Sequence, residues 1–233
     1  MATVIVLSGG TGTRLGGEIP KQYLRVRNKP IIGYCLDVFQ QVKNVSSIVV
    51  VAEPCWREMI KEYADDNGIS KFRCFANAGK SRQHSVLNGL RQVNSLDNID
   101  ENELVVIHDA ARPCVSKEIV ENCIDYLKMF DCSMPIVPVK DTVYLSNNGK
   151  MITQLLNRDT LYAGQTPEGC HLQTYLKINE LLTDEELLSV RGTSAIAFAK
   201  GLSVGLFPGT ESNYKITTRD DLMRFEMDME KRV

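Results

Sequence analysis

The run Leu7-Ser8-Gly9-Gly10-Thr11-Gly12-Thr13-Arg14-Leu15, followed by Pro20-Lys21-Gln22-Tyr23, sets a glycine turn and two cations directly after an apolar segment. Glycines turn successive backbone N–H groups into one concavity and let oxygen atoms approach without meeting a Cβ. Arg14 adds a planar fork of donors and Lys21 a point charge. Together they suit a polyphosphate whose charge grows, or whose leaving group departs, during reaction. Two familiar glycine loops do not fit. No Lys-Ser or Lys-Thr closes a GxxxxGK[ST] loop, and counting GxGxxG from Gly10 reaches Gly12 and then Leu15.

Further chemistry lies downstream. His108-Asp109-Ala110-Ala111-Arg112-Pro113 ends an apolar run with an acid, two small residues and a cation. Asp109 can hold Mg²⁺ directly or through water, accept hydrogen bonds from hydroxyls, or simply open a turn, and Arg112 can clamp a second phosphate. In Gly79-Lys80-Ser81-Arg82-Gln83-His84-Ser85 a strand hands over to a helix, where Ser81 is placed to cap. Asn157-Arg158-Asp159 and Gln165-Thr166-Pro167 bracket a later return of the chain, and Lys215 follows a strand near Ser203–Phe207.

These residues need elements to hold them. Ala2–Leu7 is apolar and rich in β-branched residues, as in an interior strand of a parallel sheet. Strand patterns at 2–8, 47–52, 72–76 and 103–108 alternate with helical patterns near 31–42, 56–67 and 82–93. That rhythm predicts a Rossmann-like α/β fold with a mostly parallel, twisted, doubly wound sheet, whose ligands sit at the strands' carboxyl ends. It breaks after Cys132–Val137. Residues 142–155 read as a hairpin with an Asn148-Gly149 turn, an arm at about 138–160 that needs a partner surface. Helical patterns resume near 171–182, and Thr183-Asp184-Glu185-Glu186 and Thr218-Arg219-Asp220-Asp221 open two further helices. We expect one domain, 1–233, carrying an arm.

Composition narrows the classes. A net charge of −2 gives no bulk attraction to nucleic acid or an acidic membrane, and no apolar run reaches the roughly 18 residues of a membrane span. Seven cysteines without a CxxC pair argue against a disulfide framework and a structural zinc site, and point to reduced thiols in a cytoplasmic protein.

Taken together, GGTGTRLGGEIPKQYL, GKSRQHSVLNGL, HDAARP, PVKDTV, NRDTLYAGQTP and NYKITTRDDL resemble the cytidylyltransferases that include 2-C-methyl-D-erythritol 4-phosphate cytidylyltransferase and ribitol-5-phosphate cytidylyltransferase, across residues 3–225. The resemblance implies the nucleotide-sugar transferase type of sheet and a homodimer of interlocking arms. It also implies attack of a polyol phosphate on the α-phosphorus of CTP, with Mg²⁺. It assigns Arg14, Lys21, Arg158 and Lys215 to catalysis; Leu7, Ser8, Gly9, Gly10, Gly12, Gly79, Arg82 and Ser85 to CTP; Asp109, Arg112, Thr142 and Thr166 to the acceptor, with Thr142 and Arg158 acting across the dimer. Mg²⁺ would rest on the CTP phosphates or on Asp109. Arg191-Gly192-Thr193 stands where many members carry an acidic pair upstream of the residue matching Lys215. The motifs lean slightly towards ribitol 5-phosphate over methylerythritol 4-phosphate. Rival readings are a sugar-1-phosphate nucleotidyltransferase using another nucleotide and a noncatalytic nucleotide-binding regulator.

Overall fold

The computed structural model describes residues 1–10, 19–190 and 192–231. Gly12 and Arg14 fall outside them.

The first half alternates as the sequence predicts: β1 (Ala2–Leu7), a short pair β2 (Arg25–Val26) and β3 (Lys29–Pro30), α1 (Ile31–Gln41), β4 (Val45–Val51), α2 (Pro54–Asp66), β5 (Phe72–Ala76), α3 (Arg82–Asn94) and β6 (Leu104–Asp109). The second half runs α4 (Lys117–Tyr126), β7 (Cys132–Pro138), β8 (Tyr144–Leu145), β9 (Gln154–Leu155), β10 (Tyr162–Gly164), β11 (Glu168–His171), α5 (Leu172–Glu180), α6 (Asp184–Ser189), α7 (Thr193–Ala199), β12 (Val204–Pro208) and α8 (Arg219–Glu230).

One sheet gathers most strands in the order β12-β7-β11-β6-β1-β4-β5. Pairing is parallel for β12 with β7 and throughout β6, β1, β4 and β5, whereas β11 runs antiparallel to both neighbours. Because β12 occupies Cys132–Ile136 on one edge of β7, β10 and β11 must share the other, broken between them by Gln165-Thr166-Pro167. This mixed but mostly parallel sheet, with helices on both faces, matches the expected class.

Burial on both sides explains the uninterrupted apolar β1. Val4 and Val6 face Ile32, Phe39 and Ile60, while Ile5 faces Val86, Leu90 and Tyr175; each such side chain contributes roughly 1.5–3 kcal/mol on leaving water. A smaller cluster closes one end, where Phe225 and Met229 of α8 meet Val26 and Ile31, and Tyr34 stands edge-on to Phe225 at 4.9 Å. Local signals fix where helices start. Ser81 accepts the His84 N–H, and Thr183 with Glu186 and Thr218 with Asp221 form two capping boxes.

The arm differs from the expected hairpin. Only Tyr144 and Leu145 pair with Leu155 and Gln154, and Gly149, at φ +69°, sits within a wider loop at 146–153. Ser146 and Asn148 staple that loop by accepting the N–H groups of Gly149, Lys150 and Met151. Side-chain acceptors therefore replace the tight two-residue turn. Among the described residues no helix is long and apolar enough to cross a membrane.

Candidate active site

The carboxyl ends of β1 and β6 open onto a cavity of about 430 Å³. From the end of β1 and the segments that follow it, the cavity is lined by Leu7, Gly9, Gly10 and Lys21; from the loop before α3 and the start of α3 by Gly79, Arg82 and Ser85; and from β6 and the segment after β12 by Asp109 and Lys215. Nine expected residues thus line one cavity although they span more than 200 positions of the chain.

Gln22 and Tyr23, which the sequence reading left without a role, tie the two parts of the first motif together. Gln22 Nε2 donates to the carbonyls of Ser8 and Gly10 at 2.8 and 2.7 Å, and Tyr23 Oη donates to the Ser8 carbonyl at 2.7 Å. The Ser8 hydroxyl, expected at the nucleotide, is buried and donates to Tyr23 Oη instead. Tyr23 stacks on Trp56 at 4.4 Å, and burial pushes its phenol up to about 12. Ser8 and Gly10 are thereby held by a turn that also carries Lys21 to the cavity.

Neither described glycine of that loop has positive φ. Gly9 is required by close approach: a Cβ there would collide with Cβ of Ala78. Gly79 likewise abuts the backbone of α3 at His84 and Ser85, and its N–H donates to Ser85 Oγ at 3.0 Å. The two loops therefore touch where Gly9 meets the Ala78 methyl, with no room for a second Cβ.

The floor is a chain of alternating charge. Asp109 Oδ1 lies 3.2 Å from Arg82 Nε, and its Oδ2 lies 2.7 Å from Lys215 Nζ. Arg82 also reaches Glu168 Oε2 at 3.1 Å and Thr193 Oγ1 at 3.1 Å. Burial works against the charge on Asp109, but Arg82 and Lys215 outweigh it and hold the carboxyl well below the usual range. Burial opposes the charge on Arg82 too, and Asp109 with Glu168 more than restores it. Asp109 and Arg82 are therefore both charged at neutral pH.

Besides Ser8, four expected residues lie elsewhere. Arg112 turns away from the cavity and donates to the Asn213 carbonyl at 2.7 Å. Thr166 is buried as a bolt between strands, accepting the Asp109 N–H at 3.1 Å and lying 3.3 Å from His108 Nδ1. Since His108 Nε2 also lies 3.0 Å from the Arg112 carbonyl, a neutral ring with its proton on Nε2 satisfies every partner. Burial lowers His108 to about 4. Thr142 and Arg158 sit exposed at the arm, where Arg158 donates to the Lys140 carbonyl.

Glu168 and Ser194 had no signal in the sequence, and Thr193 stood out only as part of the Arg191-Gly192-Thr193 segment that replaces the family's acidic pair. Glu168 stands opposite Ile107 in the β11–β6 register, and Ser194 donates to its Oε1 through both N–H and hydroxyl at 2.8 Å. The site makes no ready metal cage, because both oxygens of Asp109 are committed to cations. Among the described residues no group of three His, Cys, Asp or Glu side chains is arranged to hold a metal ion.

A glycine loop and an ammonium at the end of β1, facing an ionised floor at the end of β6, are the parts of an enzyme that moves a nucleotidyl group, and the fold is of that type. Residues 2–231 match the family described as IspD: 2-C-methyl-D-erythritol 4-phosphate cytidylyltransferase. The relative so named from Clostridium botulinum (strain Loch Maree / Type A3) is 34% identical over 229 residues, covering 98% of this chain and 97% of its own. A chloroplastic one from Oryza sativa subsp. japonica is 34% identical over 224 residues, covering 96% and 73%. In fold, the chain superposes on 4-diphosphocytidyl-2C-methyl-D-erythritol synthase from Anaerococcus prevotii DSM 20548 with a TM-score of 0.83, at 24% identity and 98% and 96% coverage. The chain belongs to the 2-C-methyl-D-erythritol 4-phosphate cytidylyltransferase family and is a cytidylyltransferase.

Proposed function

We propose that this protein transfers CMP from CTP to 2-C-methyl-D-erythritol 4-phosphate, giving the CDP-alcohol and pyrophosphate. The observation that carries the reading is the shared cavity, with a backbone-lined loop and Lys21 on one side and a fixed, ionised Asp109 on the other. An ionised carboxylate only accepts hydrogen bonds, so it selects an acceptor rich in hydroxyls. The names of the relatives favour methylerythritol phosphate and give no support to the lean towards ribitol 5-phosphate.

In this mechanism an acceptor phosphate oxygen bonds to the α-phosphorus while the bond to the bridging oxygen breaks and pyrophosphate leaves. The nucleophile is already anionic near neutral pH, so no side chain need remove a proton. Catalysis reduces to positioning and charge stabilisation. The loop N–H groups and Lys21 face the phosphates; Asp109 and Lys215 face the acceptor. Both oxygens of Asp109 pair with Arg82 and Lys215, so the Mg²⁺ that the family resemblance implies would be held by the triphosphate itself and would supply neutralisation of phosphate charge.

We also propose a homodimer. Tyr144, Leu145, Met151, Ile152, Leu155 and Tyr162 leave large apolar surfaces exposed on and beside the arm, and burying them against a second copy would carry Thr142 and Arg158 to a neighbouring cavity.

The test is an acceptor panel. With CTP and Mg²⁺, methylerythritol 4-phosphate should exceed ribitol 5-phosphate and glycerol 3-phosphate in kcat/KM by about two orders of magnitude or more, the scale set by an unpaired hydroxyl partner. Preference for ribitol 5-phosphate would replace the acceptor, and turnover with UTP or GTP but not CTP would remove cytidine.

A further inference from the structure

The Arg82 guanidinium lines the cavity, yet three of its donors are taken: Nε by Asp109, Nη1 by Thr193 and Nη2 by Glu168. Glu168 is itself braced from behind. Its Oε1 accepts both the N–H and the hydroxyl of Ser194 in the first turn of α7, and its side chain is only 6% exposed. The antiparallel β11 fixes the spacing, because pairing Glu168 with Ile107 sets it two residues from Asp109 along β6.

From this geometry we propose that Glu168 is a positioning residue for the transfer reaction, one that holds Arg82 beneath Asp109 and away from the substrate phosphates. Without it, Arg82 and Lys215 would share a single carboxylate, leaving the floor with one surplus positive charge. A guanidinium released at the wall of this cavity would turn to incoming phosphate, taking with it the group that orients Asp109. Glu168 thus governs acceptor binding without touching the acceptor. The inference deepens the proposed function and rests on it for its kinetic arm.

Two measurements decide it. In kinetics, Glu168→Gln should lower kcat/KM for methylerythritol 4-phosphate by about tenfold or more while KM for CTP stays within about twofold, and in an Asp109→Asn background it should cost little more, because both changes act through one unit. In the ligand-free protein, the Arg82 Nε–H resonance should exchange slowly with solvent in the wild type and be lost in Glu168→Gln with the backbone spectrum unchanged. Should Glu168→Gln fail to fold, Thr193→Val removes another anchor of Arg82 and should act in the same direction. Losses that multiply in the double variant, or a retained Arg82 resonance, would overturn the proposal. If the wild type turned over no methylerythritol phosphate, the function reading would fall, and the Arg82 resonance would still decide this one.

Discussion

Lys21 shows how a single side chain is delivered to chemistry by its neighbours. Its place at the cavity follows from Gln22 and Tyr23, whose side chains dock the turn onto the backbone of Ser8 and Gly10. Lys21→Ala should therefore leave thermal unfolding unchanged while reducing kcat by about 10²-fold or more at saturating CTP, the scale for losing one preorganised charge donor. His108 belongs to stability. Its buried neutral ring, lowered to about 4, is favoured by folding above its ordinary value near 6.5, and that contribution is lost as pH falls from about 6.5 to 4. The full loss is about 3 kcal/mol. Denaturant unfolding at pH 7, 6 and 5 should show the decline, and His108→Gln should flatten it. At this scale the sequence disclosed residues whose meaning is carried by local company, such as Gly9, Lys21 and Asp109. Glu168 was silent, since an acid after Thr166-Pro167 acquires its role only from a strand register that no local pattern encodes.

At the scale of elements, apolar periodicity revealed the βαβ core because its strands are buried on both faces. Glu168–His171 gave no such pattern: Glu168, Gly169 and Cys170 are buried, but they form a strand because β6 and β7 present unpaired edges to them. Helix α7, whose Gly192 N-cap makes no side-chain hydrogen bond, was equally hidden, whereas α6 and α8 announced themselves through capping boxes. The expectation that Ser8, Arg112 and Thr166 face ligand came from motif position. The structure uses their polar atoms to join elements instead. Loop contact also makes a prediction. Gly9→Ala forces a methyl into Ala78, neither side having a flexible end to move, so it should destabilise the fold by about 1–3 kcal/mol and raise KM for CTP, measured by denaturant titration and initial rates.

For the whole molecule, the exposed apolar arm is the feature that a lone chain does not explain. Leu155, 62% exposed beside Tyr144, is a suitable probe. Leu155→Lys should shift the protein to monomer in sedimentation while its circular dichroism is retained, and activity should fall with the dimer if Arg158 acts in the neighbour's cavity; a dimer unaffected by this charge would place the interface elsewhere. The order of strands carries a consequence for biosynthesis. Because β11 lies between β6 and β7, the ribosome releases both flanking strands before the one that joins them, and the edge of β6 that ends in Asp109 stays unzipped until residue 171 has emerged. Lys215 arrives later still, so a nascent chain can assemble its glycine loop early but gains its charged floor only near the close of translation.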